Sequence, residues 1–220
     1  MSKQFWAVII VIVLVFVGIF ALTGKKNNTN TTTSSNKPTQ HVIGTSTTGV
    51  KLVEYGDYEC PYCEEYYPVV KQVQQEFNGK ISFQFRNFPL TSLHPNAFAA
   101  ARAAEAAGLQ NKFWEMHDAL YDSTNWQVWS TSSDPTPYFK QYAQQLGLNV
   151  SKFESDYSST QVNNLVNADL SAGNKLGISG TPTFYLNGKQ LSLGADASTF
   201  EKAINTAIAQ QATAKTSTSK

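Results

Sequence analysis

The chain has 220 residues, 41% of them hydrophobic, and a formal net charge of +1. Once its non-globular ends are set aside, that is about one domain with a self-sufficient core. With 17 Lys and Arg against 16 Asp and Glu, and arginine only at 86 and 102, no basic patch points to nucleic acid. Two cysteines do not make a disulfide framework, which leaves them for chemistry.

The amino terminus carries an unbroken apolar run from Phe5 to Leu22, long enough to span a bilayer as a helix. Trp6 stands at one edge, and Lys25 and Lys26 lie past the other. Signal peptides have a shorter apolar region and a small-residue cleavage site, and Ala21-Leu22-Thr23 is a poor one. Residues 1–26 therefore read as an uncleaved membrane anchor. Residues 27–49 are rich in Thr, Ser and Asn and nearly free of large apolar side chains, which predicts a flexible linker. As a coil it reaches about 25–30 Å. His41 falls inside it and is assigned no role.

The domain is expected over 50–209. "VKLVEY" from Val50 is a first strand, and "PYCEEYYPVVKQVQQEF" from Pro61 is a helix with proline in its first turn and Pro68 placed to kink it. "KISFQFRNF" from Lys80 alternates as a second strand. Strand, helix, strand implies a parallel pair with a crossover. A helical insertion follows at about 95–175, with Gly108 and Gly147 as stops and Ser151 as a possible cap. "TPTFYLNGKQLSL" gives two strands joined by Asn187-Gly188, a hairpin signal. "DASTFEKAINTAIAQ" closes the domain as an amphipathic helix starting near Ser198 or Thr199, and 210–220 read as a disordered tail. The pattern β-α-β, helical insertion, β-hairpin, α implies an α/β fold with one sheet between helices.

Cys60 and Cys63 stand at the end of the first strand and in the first helical turn. Unpaired N–H groups and the helix dipole there favour a thiolate, which is a good nucleophile and leaving group. Cys60, the outer one, is expected to meet substrate, and Cys63 to be more buried and resolve the mixed disulfide. Zinc needs four ligands, and three scattered histidines supply no second half-site. A copper-handling pair or a short structural bridge are weaker readings, since so short a loop gains little from closure. Glu54 lies six residues upstream in an apolar strand. Buried beneath the pair it would have a raised pKa and move protons to and from Cys63; otherwise it is an exposed edge-strand glutamate. In "ISGTPTF", Pro182 after Thr181 is either an ordinary turn proline or a cis-proline whose preceding backbone could pair with an extended peptide.

Strand, Glu54, Cys60-Pro61-Tyr62-Cys63 opening a helix, a helical insertion, then Gly180-Thr181-Pro182-Thr183-Phe184 resemble the DsbA-like branch of the thioredoxin superfamily. "FRNFPL" at 85–90, "HPNA" at 94–97 and "FWEMHDALY" at 113–121 are similar to segments of that branch. The resemblance covers 50–209 and implies a thioredoxin-like fold and thiol–disulfide exchange without a cofactor beyond the cysteine pair. It implies Cys60, Cys63 and Glu54 as catalytic residues, with Thr181, cis-Pro182 and Tyr62 at the substrate. Pro61 and Tyr62 would tune the redox pair. His94, Met116 and His117 are expected to pack or cap the insertion. The strongest oxidants of the branch carry His where this chain has Tyr62, and Glu59, Glu64 and Glu65 lie nearby. A lowered but less extreme Cys60 pKa and a milder oxidant are the expectation.

The resulting functional expectation is a single-pass bacterial membrane protein whose extracytoplasmic domain puts disulfides into secreted or surface proteins. Its implied partners are unfolded cysteine-containing proteins and a quinone-linked membrane oxidoreductase that reoxidises the pair. A reductase or isomerase on the same fold, or a non-catalytic peptide- or metal-binding module, are the alternatives.

Overall fold

The computed structural model describes residues 37–218. The expected anchor at 1–26 lies outside the described residues, as does the first part of the expected linker. Among the described residues no helix is long and apolar enough to cross a membrane.

Five strands form one mixed sheet in the order β1-β3-β2-β4-β5: β1 (His41–Ile43), β2 (Val50–Gly56), β3 (Ile81–Asn87), β4 (Thr183–Leu186) and β5 (Lys189–Leu191). β2 and β3 are parallel, joined through α1 (Pro61–Glu76), and the other pairs are antiparallel. Between β3 and β4 come α2 (Ala97–Gly108), α3 (Phe113–Tyr121), α4 (Ser123–Trp129), α5 (Thr136–Gln145), α6 (Val150–Tyr157) and α7 (Thr160–Lys175). The last helix is α8 (Ala197–Thr218). This is a thioredoxin-like α/β fold with a helical insertion.

Period-two alternation places Val50, Leu52 and Glu54 on one face of β2, with Phe85 and Phe184 as the partners of Glu54 on either side. That face packs under α1 and α8 in the main core. Tyr55 points the other way, into a smaller cluster with Phe88, Ile178 and Tyr185 beneath α7. Helices thus cover both faces. In the insertion, α2 buries seven alanines, and their small side chains let α3, α6 and α7 approach it closely. Asn187 and Gly188 both have positive φ, 49° and 81°, as a tight hairpin turn requires. α1 runs on through Pro68 to Glu76.

Three expectations are corrected. Residues 37–49 are not free linker: β1 pairs with β3, Thr39 donates twice to Asp169, and Thr47 and Thr48 donate to Gly79 and Lys80 carbonyls. A polar segment holds here because an edge strand is secured by its backbone, not by apolar burial. The tail is helical to Thr218, where Thr213 and Thr216 hydroxyls bond carbonyls one turn back. The start of α6 is set by Asn149, not by Ser151, because an Asn just before the helix reaches the free N–H groups; α8 begins at Ala197, beside Ser198 and Thr199 as expected, with Asp196 accepting the Thr199 N–H.

Candidate active site

The chain leaves β2 at Gly56 and turns at once into α1. A side chain at Gly56 would sit 2.4 Å from Cε2 of Phe85 and 3.0 Å from a Glu54 carboxylate oxygen, so only glycine fits. Asp57 shapes the turn: its carbonyl accepts from the Cys60 N–H at 3.1 Å and its carboxylate from the Glu59 N–H at 2.8 Å. Cys60 then occupies the N-cap of α1 in an extended conformation, and Pro61 takes the first helical position, where no donor is missed.

The two sulfurs meet different surroundings. Cys60 is 3% exposed and its Sγ lies 3.4 Å from the Thr181 carbonyl oxygen. Its pKa is pulled down to about 6, chiefly by hydrogen bonding from Cys63, against the opposing effect of burial. The Thr181 side chain and the N–H groups of Cys63 and Tyr62 add to the lowering. Among the described residues the buried Thr181 hydroxyl has no other hydrogen-bond partner, so it is available to a thiolate. Cys63 is 1% exposed, and burial, with the neighbouring Cys60, pushes its thiol well up. The Asp57 N–H donates to Cys63 Sγ at 3.5 Å. At neutral pH the reduced pair is therefore one thiolate and one thiol, which is the state from which Cys60 attacks a disulfide.

Glu54 sits on the core face of the central strand, not on an edge, and is 4% exposed. Burial raises its pKa to about 8, with the Cys60 charge adding to it. It is thus a protonated carboxyl beneath a thiolate at neutral pH, able to exchange a proton when the charge on sulfur changes. The Thr181–Pro182 peptide is cis. Pro61 and Tyr62 are exposed on the outer rim, Tyr62 at 66%. The structure thus brings Cys60, Cys63, Glu54, Thr181 and Pro182 to one place at the end of the sheet.

The acids around the pair behave differently from expectation. Glu59 turns away and accepts from the Asn96 N–H at the start of α2. The five largest influences on Cys60 include no carboxylate. Sequence reasoning missed Asp57, whose buried carboxylate also takes the Leu90 N–H and His94 Nδ1, each at 2.8 Å. The only local signal was an Asp two residues before Glu59, the spacing of an Asx turn. Met116 is core, and His117 is buried among aromatic rings with Nδ1 3.1 Å from the Tyr58 hydroxyl. Burial takes the His117 pKa down to about 3, so it is neutral packing. Among the described residues no three His, Cys, Asp or Glu side chains gather as metal ligands would.

A family model described as thioredoxin matches residues 36–206. Among curated proteins, the Na(+)/H(+) antiporter NhaA 1 of Mycolicibacterium gilvum is 36% identical over 152 residues, which is 68% of this chain and 24% of that protein. The chain spans about a quarter of the length of the curated relatives it matches. Among solved structures, a thioredoxin-like oxidoreductase from Silicibacter pomeroyi is 26% identical with a TM-score of 0.65, over 78% of this chain and 94% of that one. BdbD from Bacillus subtilis, in its oxidised form, superposes with a TM-score of 0.68 at 23% identity, over 78% and 96% of the two chains. The alpha-DsbA1 protein of Wolbachia pipientis also gives 0.68, at 20% identity over 80% and 94%. The chain belongs to the thioredoxin family, and its fold is that of the DsbA-like thiol–disulfide oxidoreductases.

Proposed function

We propose that this chain is an extracytoplasmic protein thiol oxidase, held at a bacterial membrane by the run from Phe5 to Leu22. The observation that carries the reading is the asymmetric pair: a thiolate-forming Cys60 at a helix N-terminus, against the Thr181 carbonyl, over buried Cys63. In the oxidised form a substrate thiolate attacks Cys60 Sγ, and Cys63 leaves and takes up a proton, for which Glu54 is the near donor. A second substrate thiolate then attacks its partner sulfur in the mixed disulfide and releases Cys60 as a thiolate. Two electrons pass from substrate to enzyme, and stabilising the Cys60 thiolate favours that direction.

Substrate would lie along the Thr181–Pro182 backbone, with Tyr62 as an apolar contact at the rim. Oxidative folding belongs outside the cytoplasm, which supports an inside N-terminus. A quinone-linked membrane oxidoreductase is the reoxidant the family implies. Antiport is no part of this reading, since the matched segment is only about a quarter of the proteins that carry that name.

The test is oxidation of a reduced, unfolded cysteine-containing protein by the oxidised full chain, together with the reduction potential against glutathione. Disulfides should appear in substrate as Cys60–Cys63 is reduced, and Cys60→Ser should abolish this. The potential should stand above the thioredoxin value of about −270 mV. A Cys60→Ser protein as active as the wild type would sink the exchange mechanism. A potential at or below thioredoxin's would make the protein a reductase.

A further inference from the structure

The Asp57 carboxylate is wholly buried, with 0% of its side chain exposed, three residues before the reactive cysteine. It has three donors. The Glu59 N–H is local to the turn. The other two, the Leu90 N–H and His94 Nδ1, come from the loop between β3 and α2, more than thirty residues away. The His94 side chain is 18% exposed and is the only side-chain donor among the three. Asp57, through its main chain, touches both cysteines: its carbonyl accepts from the Cys60 backbone N–H, and its N–H donates to Cys63 Sγ.

A hydrogen bond onto Cys63 sulfur matters most when that sulfur carries charge. It does so as it leaves the Cys60–Cys63 disulfide and again as it attacks to re-form it. A donor fixed in advance stabilises that developing charge without reorganising. We propose that His94 is a positioning residue: by holding the Asp57 carboxylate it keeps the Asp57 N–H aimed at Cys63 Sγ and so sets the rate at which Cys63 opens from and closes on Cys60. This inference rests on the exchange reading of the pair. His94 touches neither sulfur and contributes only through Asp57.

The step to measure is closure. In the reduced full chain the Cys60 thiolate attacks glutathione disulfide, forming a Cys60–glutathione mixed disulfide and releasing one glutathione thiolate. Cys63 then loses its proton, by way of Glu54 to solvent, and attacks Cys60 Sγ. The bond to glutathione breaks and a second glutathione thiolate leaves, so two electrons have moved from the cysteine pair to glutathione disulfide. Acid quenching and mass spectrometry count the mixed disulfide over time. Its formation reports Cys60, and its decay reports Cys63.

His94→Ala and His94→Phe should slow the decay about tenfold, the scale of one lost hydrogen bond to a charged group. Formation, and the pH profile of Cys60 alkylation, should stay as in the wild type. His94→Asn places an amide N–H close to the position of Nδ1 and should restore decay to within about twofold. Thermal melting of each variant separates slow closure from unfolding. Wild-type decay in His94→Ala overturns the proposal. So does an Asn variant as slow as Ala, or a decay loss matched by an equal loss in formation. A wild-type protein that forms no mixed disulfide at all overturns the exchange reading instead.

Discussion

Two buried carboxylates, one on each side of β3, are handled in opposite ways. Glu54, on the core face of β2, is pushed up by burial and by Cys60, and no donor figures among the influences on its carboxyl. Asp169, on α7, accepts from the Thr39 N–H at 2.7 Å, the Thr39 hydroxyl at 2.6 Å, the Asn87 N–H at 3.1 Å and the Arg86 guanidinium at 3.1 Å. Asn87 also reaches Glu105, which is paired with His41. One acid is left without support and keeps its proton; the other is saturated with donors and joins the amino-terminal strand to the insertion. A buried carboxyl without donors is costly, and its place beneath a thiolate gives that cost a use.

The largest expected effect breaks the saturated side. Asp169→Ala leaves the Arg86 guanidinium and the Thr39 and Asn87 donors buried without their acceptor, and should cost about 3–5 kcal/mol. Denaturant unfolding measures this. The Cys60 alkylation midpoint should not move, because Asp169 is not among the largest influences on that thiol. A loss under about 1 kcal/mol would mean the node is dispensable and the contrast with Glu54 is false.

The converse holds at Glu54. Glu54→Gln replaces a neutral carboxyl with a neutral amide of the same shape, so stability at neutral pH should change little. Exchange should slow on the order of a hundredfold, the usual scale for a lost proton donor. An unchanged rate in stopped-flow oxidation of a cysteine peptide would remove Glu54 from the mechanism.

Glu54 and Cys60 should also give opposed stability slopes. Glu54 has a folded pKa of about 8, above its ordinary value of 4.5. Between those values the folded state holds a proton that the unfolded chain has released, so its contribution is full below about 4.5 and is lost as pH rises through about 8. Cys60 has a folded pKa of about 6, below its ordinary 9. There the unfolded chain holds the extra proton, so this contribution grows as pH rises from about 6 to 9 and is lost as pH falls back through 6. Only the reduced form has the Cys60 contribution. Urea unfolding of both redox forms should show the reduced form gaining on the oxidised form across that window. Parallel curves would place the Cys60 pKa near its ordinary value.

The same contrast explains what could be read from the chain. Element order was legible because its signals are local: alternation in "ISFQF", proline after Cys60, Asn187-Gly188 in the hairpin. Glu54 stood out as one acid in an apolar strand. The saturated node was not legible. Thr39 and His41 look like linker, and their partners Asp169 and Glu105 lie 130 and 64 residues away. Glu59 looked like a charge opposing Cys60 because spacing along the chain cannot show that its carboxylate binds the start of α2. Asp57 was missed and His94 was read as packing or capping for the same reason: the bond between them joins two loops 37 residues apart.

The smallest effect expected is at the rim, where neither kind of burial applies. Tyr62 is the residue in this position that cannot carry a positive charge, and it is 66% exposed. Tyr62→His would place a cation beside the Cys60 thiolate below neutral pH, favouring the anion. Solvent screens so open a position, so the alkylation midpoint should fall from about 6 by less than one pH unit. The reduced form is stabilised to the same extent, and the potential rises by no more than about 30 mV, the equivalent of 1.4 kcal/mol for two electrons. The two readouts are coupled: a potential that rises with no fall in the midpoint would mean that the substitution acts on the disulfide form. A fall of more than one pH unit would place the control of the thiolate at the exposed rim, not in the hydrogen bonds that Cys63 and Thr181 give it.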